Sequence, residues 1–316
     1  MSASISVSFR AFDGVELNAR LYGVGGSRSA VLLLEGSGRI ENETEPATWP
    51  FDQLARALAA RGHMVLRYPK RGSGENLQRG SFWRATFESD LADARSALAC
   101  LESHAPRSRV HLLGHSYGGP LALRLAAGEG GIRGVGMITS TLRPIDQLLL
   151  EQNQKILELS GVPAPRIEAE LRSVRELIEG VRKDSYECKA PACQHLDGVA
   201  VVDGIQLPWL KEVLSMNFAE LATKCDAPLL FVSGGADPIV PDADGDFARD
   251  LFAKDGGERR FLRLDDLDHL FTAQVSRSAA LEYMRQTQRT QVYAAISTSL
   301  VDELDRWIES TMRNRG

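Results

Sequence analysis

Hydrophobic and polar positions are arranged in two different ways along this chain. Near the start Ile5, Val7 and Phe9 are separated by polar residues, Asp13-Gly14 interrupts, and Val15, Leu17, Ala19 and Leu21 alternate again. Period-two patterning around an Asp-Gly turn predicts a β-hairpin. Beyond it the alternation stops and short unbroken apolar runs take over at 30–34, 64–68, 110–114, 135–138, 228–232 and 261–264. A strand covered on both faces has no polar side to alternate with, so these runs predict a mostly parallel sheet with helices on both faces, an α/β architecture. Helical spacing predicts the covering helices at 51–61, 87–101, 121–127 and 247–254. A terminal helix at about 296–312 puts Ile296, Leu300, Leu304, Trp307 and Ile308 on one face.

One segment breaks this rhythm. Between about 142 and 225 no core strand is evident, and two helix-like stretches, 145–160 and 166–181, flank the breaker Gly161-Val162-Pro163-Ala164-Pro165. An excursion of about 85 residues between two strands is too long for a plain loop, and such excursions tend to be functional. The expected organisation is a core from 1–141 and 226–316, with 142–225 inserted as a helical cap.

Composition narrows the partners. With 316 residues, 43% of them hydrophobic and 25% charged, the chain can build a large core. Its 37 basic and 42 acidic residues leave a net charge of −5, which argues against nucleic acid. Residues 1–10 lack the basic and apolar regions of a secretory signal. No stretch approaches the roughly 20 apolar residues of a membrane span, so a cytoplasmic protein without membrane contact is expected. Four cysteines are too few and too irregular for a disulfide framework or a zinc knuckle, and the close pair Cys188 and Cys193 reads as two reduced thiols.

The chemistry begins at Gly114-His115-Ser116-Tyr117-Gly118-Gly119, between the apolar run 110–114 and a predicted helix. A serine on a sharp strand-to-helix turn brings the residues two positions either side close together, so glycine is needed at 114 and 118. The helix behind it points its positive end at developing negative charge. A nucleophilic serine needs a base and a carboxylate that holds the base in the right tautomer. Asp237 follows the run 228–232 through Ser233-Gly234-Gly235-Ala236, and His269 follows the run 261–264, so the order is Ser, Asp, His. Of the six histidines, only His269 follows a late strand: His63 opens a core strand, His104 lies in a link, His111 is within a strand, His115 belongs to the turn and His195 to the inserted segment. Asp242, Asp244, Asp265, Asp266 and Asp268 read as solvated loop charges or a helix cap.

Acyl transfer also needs two backbone donors for the oxyanion. Tyr117 N–H, just after the nucleophile, is one, and Ser37 N–H in Glu35-Gly36-Ser37-Gly38 is the other. A dinucleotide fingerprint starting at Gly36-Ser37-Gly38 fails for want of its third glycine, and no Gly-Lys-Ser/Thr phosphate loop follows.

Together with 66–74 (Leu-Arg-Tyr-Pro-Lys-Arg-Gly-Ser-Gly), Gly-Gly-Ala-Asp at 234–237 and Asp-His-Leu-Phe at 268–271, these motifs resemble the α/β-hydrolase superfamily. Within it the chain is most similar to small serine acyl-hydrolases with a helical cap after the sixth strand. The resemblance implies a Ser116, Asp237, His269 triad, an oxyanion hole at Ser37 and Tyr117, an acyl-enzyme intermediate and no cofactor or metal. The expected reaction is hydrolysis of an ester or thioester of a small, hydrophobic acyl substrate, with Trp209 among the cap residues that bind it; an amide is left open. Acyl transfer or cyclisation would use the same acyl-enzyme, and a non-catalytic ligand-binding module would use the same fold. Dehalogenases and epoxide hydrolases of this fold need aspartate at 116. One departure stands out: members usually carry His-Gly where this chain has Glu35-Gly36, and a carboxylate aimed into the hole would oppose the anion. Glu35 is expected to pair with Arg39 or Arg71 or to bind a substrate donor group, unless the substitution is structural. A homodimer is left open.

Overall fold

The computed structural model describes residues 4–41, 48–189 and 193–313. Strands β1 (Ser4–Arg10) and β2 (Glu16–Tyr22) form the predicted hairpin. The apolar runs become β3 (Ser29–Leu34), β4 (His63–Arg67), β5 (Val110–His115) and β6 (Gly134–Ile138). Three short strands, β7 (Cys193–Leu196), β8 (Val199–Val202) and β9 (Ile205–Gln206), make a separate antiparallel sheet. The main sheet is completed by β10 (Leu229–Gly234) and β11 (Arg259–Leu264). Its eight strands run in the order β1-β2-β4-β3-β5-β6-β10-β11, parallel from β4 to β11, while β2 pairs antiparallel with both β1 and β4.

The helices are α1 (Pro50–Ala60), α2 (Phe87–Glu102), α3 (Gly118–Glu129), α4 (Ile145–Leu159), α5 (Ala164–Arg182), α6 (Leu207–Leu214), α7 (Phe218–Thr223), α8 (Asp242–Lys254), α9 (Arg277–Thr290) and α10 (Thr298–Arg313). The unbroken apolar run of β3 is explained by two cores. Ala30, Leu32 and Leu34 pack with Phe87, Leu91 and Leu121 under α2 and α3. Val31 and Leu33 pack on the opposite face with Leu54, Leu58 and Trp307 under α1 and α10. Side chains alternate faces along a strand, so both sets must be apolar. The parallel strands all end on the same side of the sheet, and the turns that leave β3, β5, β10 and β11 there gather the candidate residues.

Between β6 and β10 the chain runs through α4, α5, the small sheet, α6 and α7. The first two helices match the sequence expectation; the rest has no counterpart among the predicted elements. β7 to β9 are two to four residues long, too short for periodicity to register. Their signature is the turns: Asp197-Gly198 and Asp203-Gly204 all have positive φ and join strands as two-residue hairpin loops. Helix α9 is also absent from the predicted elements, since Arg, Gln and Thr make up half of it and leave few apolar positions to read.

One expectation is corrected. Cys188 and Cys193 are not two free thiols but a disulfide, with Cα atoms 5.2 Å apart, inside the span of about 4.4–6.8 Å that a bridge requires. Cys193 N–H also donates to the Lys189 carbonyl at 3.1 Å, a proximity that the spacing does not show. Cys100 and Cys225 are free, half-buried and buried respectively. Among the described residues no helix is long and apolar enough to cross a membrane.

Candidate active site

β5 ends at His115 and the chain then turns sharply. Ser116 has φ of 51°, a left-handed conformation that costs a residue with a side chain roughly 1–2 kcal/mol. Its neighbours hold it there. Ser116 N–H donates to the Ile138 carbonyl at 3.0 Å, and the Ser116 carbonyl accepts from Gly119 N–H at 3.0 Å and from Ser140 Oγ at 2.7 Å. A Cβ on Gly114 would strike the Gly118 carbonyl, and one on Gly118 the Leu34 carbonyl, so neither position tolerates a side chain. Tyr117 occupies the N-cap of α3, placing the helix's unpaired N–H groups and positive end beside Ser116.

The turn after β10 holds Asp237, only 1% exposed. Its Oδ1 accepts from Ile239 N–H at 2.7 Å and Val240 N–H at 3.0 Å, and its Oδ2 lies 2.8 Å from His269 Nδ1. A carboxylate only accepts, so Nδ1 carries the proton and Nε2 is left as the basic nitrogen. The loop bearing His269 is built on its neighbour: Asp268 Oδ1 accepts from Leu270 N–H at 2.9 Å and Thr272 N–H at 2.7 Å, and Oδ2 from Thr272 Oγ1 at 2.7 Å. His115 Nε2 bonds the His269 carbonyl at 2.9 Å, with the two rings 4.6 Å apart. Burial holds His115 well below its usual pKa, so it serves as a neutral donor that braces the loop.

Asp268 and Asp244 therefore correct the sequence reading, because both are fully buried rather than solvated. Asp244 accepts from Thr141 Oγ1 and faces Arg143 Nη1 at 3.3 Å, and burial pushes its carboxyl up to about 6. Asp242 pairs with Arg263 and Arg277. Asp265 and Asp266 are exposed, as expected.

Ser116, His269, Ser37, Tyr117 and Trp209 border one cavity of about 510 Å³. Asp237 sits behind His269, away from it. No hydrogen bond joins Ser116 Oγ to His269 among the described residues; such bonds are often long until substrate binds. Leu148, Leu149, Leu177 and Ile178 from α4 and α5, with Trp209 from α6, form an apolar wall.

Glu35 does not border the cavity. Its carboxylate is buried and faces Arg67, with Nη1 to Oε1 at 3.6 Å, and neither of the expected partners is engaged by it. Arg39 donates to the Gly72 carbonyl, and Arg71 grips Asp13 and Asp93. Arg67 lies opposite Leu33 in the β3–β4 register, and Glu35, two residues beyond Leu33, falls on the same face. Burial raises the Glu35 carboxyl, and Arg67 opposes that rise.

Two residues given no role in the sequence reading also border the cavity: Lys70, inside the 66–74 motif, and Asp90, which no motif announces. Lys70 Nζ donates to the Gly36 carbonyl at 2.5 Å, and Asp90 accepts from Tyr117 OH at 3.0 Å. Asp90 looks in sequence like an acidic residue favouring a helix N-terminus, since it lies in the first turn of α2. Burial pushes its carboxyl up to about 6, against the pull of Lys70. A carboxyl raised in the folded state stabilises fully below its unfolded value of 3.8 and loses that contribution as pH climbs through about 6. Asp90→Asn lacks this term. Its stability relative to the parent is expected to rise by on the order of 2–3 kcal/mol between about pH 4 and pH 7, at roughly 1.4 kcal/mol per unit. Urea unfolding of both proteins across that range is the check, and a constant difference would contradict it.

Comparison with known proteins agrees with this architecture. Residues 45–291 match the family described as serine aminopeptidase, S33. Esterase EstD of Thermotoga maritima is 28% identical over 287 residues, covering 88% of this chain; the chain spans 61% of that relative's length. Among solved structures, DcsB in complex with its substrate analogue superposes with a TM-score of 0.62 at 16% identity, covering 99% of this chain and all of that one (100%). The Pyrococcus furiosus esterase Pf2001 gives 0.59 at 14% identity, covering 98% of this chain and 92% of that one. The esterase domain from a Rhodothermus marinus protein gives 0.55 at 21%, covering 91% and 98%. At these identities the solved structures bear on the fold alone. The family match spans most of the chain, and the fold, with its mostly parallel eight-stranded sheet, is that of the α/β hydrolases: the chain belongs to the serine aminopeptidase S33 family within that superfamily.

Proposed function

We propose that this protein is a serine esterase that cleaves an ester or thioester of a small hydrophobic acyl substrate through an acyl-enzyme on Ser116. The observation that carries the reading is the shared cavity of Ser116 and His269, with the Asp237 carboxylate 2.8 Å from His269 Nδ1. Ser116 Oγ attacks the acyl carbon while His269 Nε2 takes its proton, and Asp237 steadies the imidazolium. The tetrahedral oxyanion lies between the N–H groups of Ser37 and Tyr117. His269 then protonates the leaving alcohol or thiol, and a water, activated by the same nitrogen, releases the acid. The apolar wall from α4 to α6 suits a hydrophobic acyl group, with 142–225 acting as a cap over the core of 1–141 and 226–316. An ester is favoured over an amide because the curated relative aligned with 88% of this chain is named an esterase. The reading includes a cytoplasmic address.

The test is a fluorophosphonate probe followed by peptide mapping, with a panel of nitrophenyl esters of increasing chain length. The expected results are a single adduct on Ser116 and turnover of the panel. Folded protein that takes no label would favour a non-catalytic ligand-binding module, and product analysis with added alcohols or amines separates hydrolysis from transfer.

A further inference from the structure

The peptide unit between Gly36 and Ser37 is gripped from behind. Its carbonyl accepts from Lys70 Nζ at 2.5 Å, while Ser37, whose N–H belongs to the same unit, borders the cavity shared with Ser116. In a trans peptide the C=O and N–H point in opposite directions, so anchoring the oxygen on Lys70 also sets the direction of the Ser37 N–H. An ammonium donor draws density toward the carbonyl oxygen and makes the N–H of that amide a stronger donor. The unit has little room to shift: a Cβ on Gly36 would lie 2.8 Å from His115 Nδ1 and 3.1 Å from Ser116 Cβ.

Lys70 is itself held in place. Its ammonium lies 5.3 Å from the centre of the Phe82 ring and 5.7 Å from that of Tyr117, within cation–π range. Burial lowers the Lys70 pKa, and the charges of Asp90 and Glu35 oppose that fall. A lysine kept only for solubility would extend into water; this one is turned inward onto one backbone carbonyl.

We infer that Lys70 is a positioning residue for acyl transfer, aiming and strengthening the Ser37 N–H as an oxyanion donor by holding the Gly36 carbonyl. This rests on the proposed serine mechanism, and Lys70 acts through Ser37 rather than on the reacting atoms. It also bears on the carboxylate beside the oxyanion loop: Glu35 faces Arg67, and the positive charges of Arg67 and Lys70 both oppose the effect of its burial.

The test compares Lys70→Met, which keeps the stem but removes donor and charge, with Lys70→Arg, which restores a charged donor. Ester turnover, fluorophosphonate labelling of Ser116 and inhibition by an alkyl boronic acid, which forms an anionic tetrahedral adduct on an activated serine, are measured on the full chain. Removing an oxyanion donor outright costs about 10²- to 10³-fold in kcat, so misaiming one is expected to cost Lys70→Met about 10- to 100-fold. KM should stay within about threefold, boronic acid affinity should fall in step with kcat, and Lys70→Arg should recover part of both. Parent-like kcat and boronic acid affinity in Lys70→Met, or a rise in KM alone, would overturn the inference and leave Ser116 as the nucleophile. A parent that is not labelled at Ser116, with Ser116→Ala equally active, would instead remove the serine mechanism and the inference with it. Should Lys70→Met fail to fold, Lys70→Gln is the variant to read: lowered kcat at constant KM supports the inference, and parent-like kcat overturns it.

Discussion

Ser116→Ala is expected to keep the fold and lose the turnover, with kcat on a nitrophenyl ester falling by about 10⁴- to 10⁶-fold. The substitution removes one oxygen atom that has no hydrogen-bond partner among the described residues, so nothing else in the turn is disturbed. The backbone bonds that hold residue 116 in its left-handed conformation run through its N–H and carbonyl, and alanine retains both. Thermal unfolding should therefore shift by no more than a few degrees while activity collapses. What remains comes from binding and the oxyanion donors, which alone sustain about 10³- to 10⁴-fold over water in comparable triads. A loss below tenfold in a properly folded variant would sink the serine mechanism.

Asp237→Asn is expected to lower kcat by about 10⁴-fold, with KM little changed. The introduced amide could still accept from the Ile239 and Val240 N–H groups through its one oxygen, as Asp237 Oδ1 does now, so the loop keeps its shape. The other position then presents an NH₂ to His269 Nδ1. That forces Nδ1 to accept and puts the proton on Nε2, the nitrogen that must take the proton from Ser116. The loss is one of tautomer rather than position, which a pH–rate profile of the variant detects as a residual rate that recovers at alkaline pH. Steady-state kinetics beside a melting curve separates this outcome from unfolding.

Much of the core is legible in the sequence because its determinants are local. The two glycines of 114–118 follow from where their Cβ atoms would go, and the apolar runs of β3 to β6 follow from burial on both faces. The order Ser116, Asp237, His269 can be read from turns that follow apolar runs. The departures share a different cause. Nearness in sequence or motif points Glu35 to Arg39 or Arg71, yet it faces Arg67 through the register of two strands. Asp244 and Asp268 read as solvated because aspartate in loops usually is. Only the packing of Thr141, Arg143 and Thr272 around them reveals their burial. The small sheet escapes a periodicity reading because its strands are shorter than any window in which alternation is visible, although its two Asp-Gly turns are in plain view.

What the sequence determined by itself was the alternation of strand and helix, the strained turn at Ser116 and the residues proposed as nucleophile, base and acid, since each depends on a few consecutive side chains and their sterics. Tertiary structure alone decided which distant groups meet: His269 with Asp237 across 32 positions, Lys70 with the Gly36 carbonyl across 34, Tyr117 with Asp90 across 27. Those pairings depend on strand order and register, and on how burial shifts the cost of a charge, quantities that exist only once the chain has closed on itself.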